Sequence, residues 1–237
     1  MDFEVDFLPV GNGEKSGDAI ALRYGDLKSG KRIDFTVVVI DGGYQDSGEA
    51  LVEHINKYYG TNIVDVVVSS HPDNDHLAGL QIILEKMDIG QLWMHQPWKH
   101  TDNIAGMFKD GRVTDNSVKE SLRKSLETAC FIEKLAENKG IPIHEPFTGL
   151  QDPKGNLVVV GPTKEFYESL LPEFRGTPEP KDTTILQKFV AKAEEVIKKV
   201  LESFDFETLT DDGETSAENN TSAVLLLRVD EENLLFC

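Results

Sequence analysis

Four side chains able to ligate a metal ion fall within six residues: His71, Asp73, Asp75 and His76. Imidazole nitrogens and carboxylate oxygens without a thiolate suit zinc, manganese or iron, and the second carboxylate moves preference toward harder ions such as manganese. His71 and Asp73 stand two residues apart, which puts both on one side of an extended segment. Asp75 and His76 then fall at the turn into a following helix. Four metal-competent side chains thus converge within one short stretch, which points to metal-ligand geometry. A purely structural alternative has Asp75 capping the helix; it accounts for one carboxylate and leaves both histidines and the second Asp without a reason. The spacing fits neither a helix-loop-helix calcium loop nor a zinc finger.

Ile63 to Ser70, just before the cluster, is apolar enough for a strand covered on both faces. A helix is expected from about Leu77 to Lys86. In open α/β sheets ligands gather beyond the carboxyl ends of strands, which is where the cluster falls. Upstream, Phe3 to Leu8 alternates with period two, the mark of a half-buried strand. Ala19 to Tyr24 and Asp34 to Ile40 read as two more, the last ending in Asp41-Gly42-Gly43. A helical period starts at Ser47, with Leu51, His54, Ile55 and Tyr58 on one face and Gly60 as the stop. Downstream, Gln91 to Met94 is a short strand. Ser117 and Glu120 form a capping box for one helix carrying Val118, Leu122, Leu126, Ala129 and Ile132, ended by Gly140. Leu157 to Val160 is a strand ending at Gly161, and Thr163 caps a short helix. Arg175 to Lys181 is a loop, followed by a long amphipathic helix with Ile185, Phe189, Val196 and Phe204 inward. Asp211-Asp212-Gly213-Glu214 reads as a solvated acidic loop, and Ala223 to Arg228 with Asn233 to Phe236 as a hairpin. Antiparallel strands, then β-α-β alternation, then a hairpin predict a layered α/β protein.

Other residues carry weaker signals. If the short strand before it runs parallel to Ile63–Ser70, His95 emerges on the metal edge, to touch substrate or supply a ligand, and Trp98 walls the pocket; the alternative is a packed Trp beside exposed histidines. Asp41 either orients a ligand histidine or simply forms the turn before Gly42-Gly43. His54 reads as structural, His144 has no partner at a meaningful spacing, and Cys130 reads as a small buried hydrophobe. Gly11 to Ser16 is no phosphate loop, because a strand follows it.

Composition narrows the partners. The 237 residues carry Lys+Arg 24 against Asp+Glu 42, a formal net charge of -18. Affinity for a phosphate backbone comes from Lys and Arg, so non-specific binding to nucleic acid or an anionic membrane is disfavoured. Two cysteines make no disulfide framework. The start lacks a signal-peptide pattern, and no apolar run approaches the ~18 residues of a membrane span. A soluble cytoplasmic protein is expected.

Ser70-His71-Pro72-Asp73-Asn74-Asp75-His76-Leu77-Ala78-Gly79-Leu80 resembles the H-x-H-x-D-H signature of the metallo-β-lactamase fold. It is most similar to the branch found in competence (DNA-uptake) proteins, where the second His is replaced by Asp. Gly11-Asn12-Gly13 with Gly17-Asp18-Ala19-Ile20, Val39-Ile40-Asp41-Gly42-Gly43, and Asn219-Asn220-Thr221-Ser222 before Val224 to Leu227 resemble further stretches in the same order. The resemblance implies a single domain over residues 1–237, a four-layer αββα sandwich lacking much of its C-terminal half. It also implies a metal-dependent hydrolase holding zinc or manganese, with His71 and Asp73 pointing at one ion and Asp75 and His76 at a second; a pair of ions lowers the pKa of bound water and clamps attacking and leaving oxygens, which is hydrolytic chemistry without a side-chain nucleophile. Asp75 positions the attacking water, and Asn220 belongs to the substrate-binding surroundings. The substrate expected is a small molecule bearing a phosphodiester or related phosphoryl group; nucleic acid is disfavoured by charge. Two departures qualify this. The family's next His ligand falls at Gly161, and its bridging Asp and last His lie past Cys237. Catalytic zinc normally keeps three protein ligands, so metal binding is expected to be weak. The alternatives are a catalytically degenerate binding or regulatory module, and a lactonase or thioesterase. An uncovered sheet edge also makes a homo-oligomer an expectation.

Overall fold

A computed structural model describes residues 1–11, 17–181 and 215–237. Strand β1 (Asp2–Phe7) pairs antiparallel with β2 (Ala19–Gly25), and β2 pairs antiparallel with β3 (Phe35–Gly42). Helix α1 (Gln45–His54) continues through a wider π turn, Ile55–Tyr59, and stops where Gly60 takes φ 67°. Strand β4 (Ile63–Val68), helix α2 (Asn74–Lys86) and strand β5 (Asp88–Trp93) follow. β4 lies parallel to β3, β5 parallel to β4, and β6 (Ile143–His144) parallel to β5. The six strands form one mixed sheet in the order β1 to β6. A second, antiparallel sheet holds β7 (Leu157–Gly161), β8 (Val224–Val229) and β9 (Glu232–Phe236). The order of antiparallel strands, parallel crossovers and terminal hairpin is the α/β order read in the sequence.

Alternation along the strands separates two cores. Ile20, Leu22, Tyr24, Val38, Ile40, Val66, Val68 and Trp93 face the second sheet. They meet Leu157, Val159, Leu225, Leu227, Val229 and Phe236 in one buried cluster. Ala21, Val37, Val39 and Val67 lie between those residues in sequence and so face the other way, where α1 and α2 pack with Leu51, Ile55, Leu77, Leu80 and Ile83. Every residue of β3 is buried, as its run of valines requires. β1 is the sheet's outer strand: Val5 is partly buried against the cluster, whereas Phe7 is 70% exposed.

The described residues gather in two compact units. The first contains both sheets: Met1–Gln96, Leu126–Pro162 and Ser222–Cys237. The second, Pro97–Ser125 with Thr163–Thr221, carries α3 (Asp115–Ser125) and α5 (Lys164–Leu170); α4 (Glu127–Asn138) belongs to the first. The single helix expected from Ser117 to Gly140 is therefore two. The Ser125 hydroxyl turns back onto the carbonyls of Ser121 (3.0 Å) and Leu122 (3.2 Å) and reaches that of Arg175 (2.8 Å). Such bonds compete with the helix's own ladder, and Leu126 leaves helical geometry at φ -114°, ψ 46°. The start differs too. Thr114 caps α3 by accepting from the Ser117 amide at 3.1 Å, and Ser117 returns the bond to the Thr114 amide at 2.9 Å. Thr163 caps α5 as expected, accepting from the Phe166 amide at 3.2 Å. The amphipathic helix expected from Ile185 to Phe204 and the acidic loop at Asp211 to Glu214 lie outside the described residues, as does most of the Gly11–Ser16 turn. Among the described residues no helix is long and apolar enough to cross a membrane.

Candidate metal centre

Because β3 and β4 run parallel, with Ile40 opposite Val68, their carboxyl ends arrive together. β3 delivers Asp41, β4 leads into Ser70 and His71, and the first turn of α2 delivers Asp75 and His76. Asp73 is the residue before that helix, in extended geometry; the Asp75 cap considered for the sequence is not formed, and the helix begins three residues earlier than Leu77. Glycines set the spacing. A Cβ on Gly79 would stand 1.9 Å from the Gly42 carbonyl oxygen, and one on Gly48 would stand 2.4 Å from the Gly79 carbonyl oxygen. The Gly79 amide also donates to the Gly43 carbonyl at 2.8 Å. α2 therefore rests on the end of β3 and the start of α1 with no side chain between. Asp41 itself sits at φ 55°, a left-handed conformation that costs a non-glycine residue roughly 1–2 kcal/mol.

The buried Asp41 carboxylate organises both histidines. Oδ1 accepts from the Ser70 amide at 2.8 Å, and Oδ2 accepts from the Ser70 hydroxyl at 2.5 Å. The same Oδ2 lies 2.8 Å from His76 Nδ1. A carboxylate only accepts, so Nδ1 of His76 is the donor, which leaves Nε2 as the ring nitrogen that could ligate a cation. His71 and His76 stand face to face, ring centroids 4.0 Å apart at 53°. His71 Nε2 is 3.7 Å from Asp73 Oδ2, close to the roughly 3.4 Å that separates two ligands of one tetrahedral zinc ion. Asp41, His71 and His76 each offer a ligand atom, and these atoms lie within 4.8 Å of one another.

The two imidazoles are tuned apart. Burial lowers the His71 pKa from 6.5, and the neighbouring His76 charge lowers it further, against the pull of Asp41, Asp73 and Asp75. Burial also opposes charge on His76, but its hydrogen bond to Asp41 and the charges of Asp41, Asp75 and Asp18 outweigh it and raise the pKa. His71 is thus shifted toward the neutral form, which has a free lone pair, and His76 toward the charged form, which binds a cation only on losing a proton.

The residues read from the sequence fall in several places. Asp73 and His76 join His71 directly. Asp75 acts on both histidines through its charge and lies outside the tight triad. Asp41 is hydrogen-bonded to His76, the contact an orienting carboxylate would make. β5 is parallel to β4, so His95 does emerge at the same sheet edge; it is buried there, its ring 4.7 Å from that of Phe147. Trp98 is fully buried within the second unit, with the Arg123 guanidinium 5.1 Å above its ring. Asn220 ends a short helical turn, Ala217–Asn220, in that unit and is exposed. His54 is structural: its Nε2 is 3.1 Å from Asp6 Oδ2. Three participants had no role in the sequence reading. Asp18 Oδ2 is 3.8 Å from His76 Nδ1, and the hydroxyls of Ser70 and Ser222 lie 2.9 and 3.3 Å from His71 Nδ1. All three stand in stretches quoted for their resemblance, but their positions beside the histidines appear only in the folded chain. Compared with protein-family models and with curated proteins, the chain matches none.

Proposed function

We propose that the chain is a metal-dependent hydrolase of the metallo-β-lactamase type, acting on a phosphodiester or related phosphorylated small molecule. The observation that carries the reading is the buried Asp41 carboxylate holding His76 by Nδ1 and, through Ser70, reaching His71. That is the arrangement by which proteins aim imidazole nitrogens at a cation. Support for the fold comes from the two facing sheets with α1 and α2 on the outer side of the larger one. His71, Asp73 and His76 would hold zinc or manganese, with Asp75 beside them for a second ion or to position water. A divalent cation bound there supplies activated water and polarises a phosphoryl oxygen. The chain's own part is to keep His71 neutral, to draw the His76 proton onto the Asp41 side, and to bring carboxylates to the mouth of the site.

The decisive experiment is metal analysis of protein purified without chelator, with hydrolysis of bis(p-nitrophenyl) phosphate assayed under added zinc or manganese. Wild type is expected to carry more metal than an Asp75→Ala/His76→Ala variant and to turn the ester over. Equal metal content in the two proteins would sink the reading. A second reading, a binding or regulatory module without turnover, is favoured by Gly161. It pairs with Val224, two residues past Ser222, and brings no ligand side chain there. Metal bound by wild type without hydrolysis of phosphodiesters, esters or lactones would favour it.

A further inference from the structure

We propose that Ser70, held by Asp41 and with the Ser222 hydroxyl beside it, fixes His71 in the tautomer that carries its proton on Nδ1, so that Nε2 is the lone pair offered to a cation. The proposal deepens the metal-centre reading and rests on it for its purpose, though not for its geometry.

Ser70 Oγ lies 2.5 Å from Asp41 Oδ2. A carboxylate has no proton to give, so the single hydroxyl proton of Ser70 is directed there. The same Oγ stands 2.9 Å from His71 Nδ1. With its proton committed to Asp41, Ser70 can only accept along that line, and a bare Nδ1 lone pair would face an oxygen lone pair. Ser70 therefore favours the tautomer with the proton on Nδ1. Asp41 thus acts on His71 at second hand, with Ser70 as the relay, while it acts on His76 directly.

Ser222 supplies a second oxygen at 3.3 Å from the same nitrogen. It is brought there by the backbone: the Ala223 amide donates to the Ser70 carbonyl at 2.9 Å, which pins the approach to β8 against the end of β4. The preference matters because of what lies on the other side of the ring. His71 Nε2 is 3.7 Å from Asp73 Oδ2. A proton on Nε2 would point at that carboxylate and close the ligand pair on itself. Which imidazole nitrogen is free is set by the hydrogen bond made by the other, and here the Ser70 oxygen, its proton directed to Asp41, lies on the Nδ1 side. Ser70 and Ser222 are positioning residues in this account, since neither touches the cation.

The test is nitrogen-15 NMR of histidine-labelled, metal-free full-length chain, with zinc affinity measured by competition against a chromogenic chelator. Wild-type His71 is expected to show its proton on Nδ1. In a Ser70→Ala/Ser222→Ala variant the signal should move to the Nε2-protonated form, and zinc affinity should fall about tenfold or more. Ser222→Thr, which keeps the hydroxyl, should retain the wild-type tautomer. The proposal is overturned if wild-type His71 carries its proton on Nε2. It is equally overturned if the double variant, with an unchanged circular-dichroism melt, keeps the proton on Nδ1. Should the double variant fail to fold, the wild-type spectrum decides alone. If wild type binds no zinc yet its Nδ1 proton is lost in the folded double variant, the metal-centre reading falls and the tautomer assignment stands.

Discussion

Gly79 in α2 and Gly42 at the end of β3 meet backbone to backbone, so that a Cβ on Gly79 would lie 1.9 Å from the Gly42 carbonyl oxygen. The obstruction is a backbone atom that no rotamer change can move aside. Gly79→Ala should therefore push the start of α2 away from β3. Overpacking costs about 1–3 kcal/mol, occasionally more, and about 3 kcal/mol is expected here. The check is a lower urea midpoint at unchanged m value, with weakened zinc binding, because the displaced turn carries His76. An unaltered midpoint would contradict the close contact.

Asp41 combines a strained backbone with a carboxylate that three donors share, and substitution separates the two. Asp41→Gly relieves the left-handed conformation at φ 55°, whereas Asp41→Ala keeps the penalty. The glycine variant should be the more stable by about 1 kcal/mol. Both should bind zinc at least tenfold more weakly than wild type, since both release His76. Equal stabilities would mean that the backbone strain is not there.

The histidines should titrate on opposite sides of 6.5 in metal-free protein. His76 is raised, so its contribution to stability is complete below 6.5 and is lost as pH rises through its folded-state pKa. His71 is lowered, so its burial penalizes folding at low pH and stability is gained as pH rises from its folded pKa toward 6.5. Zinc competes with the proton on His76. Its affinity should therefore keep rising with pH after an unperturbed histidine would have levelled off. A plateau at or below pH 6.5 would rule out the assignment for His76.

Zinc should also stabilise the fold. At a free concentration one hundred times the dissociation constant the gain is about 2.7 kcal/mol. For a chain of this size that corresponds to a rise in Tm of roughly 5–11 °C. Chelator should reverse the shift, and the Asp75→Ala/His76→Ala variant should show none. A shift of equal size in that variant would place the ion elsewhere.

Much of this architecture was legible in the sequence because it is written locally. The valine run of β3 and the alternation of β1 translate directly into strands, and Gly60 ends its helix in the left-handed geometry expected of it. The His71–His76 cluster was legible for the same reason: its members are near neighbours, and the strand and helix that carry them are continuous. What escaped depends on partners remote in the chain. Ser125 breaks the helix partly by reaching Arg175, fifty residues away, and nothing in its immediate neighbours announces this. Ser222 stands in a stretch set apart by resemblance alone, and its nearness to His71 appears only when the lead into β8 meets the end of β4. Asp18 becomes a neighbour of His76 only when β2 pairs with β3.

The bond between His71 and Ser222 spans 151 residues. At about 5–20 residues per second of synthesis, His71 waits roughly 8–30 s before its second hydroxyl partner has even been made. Asp41, Ser70 and His76 are complete long before that. A nascent chain can thus bring the two histidines together first and acquire the second hydroxyl at Nδ1 of His71 last, when the terminal hairpin closes over the larger sheet.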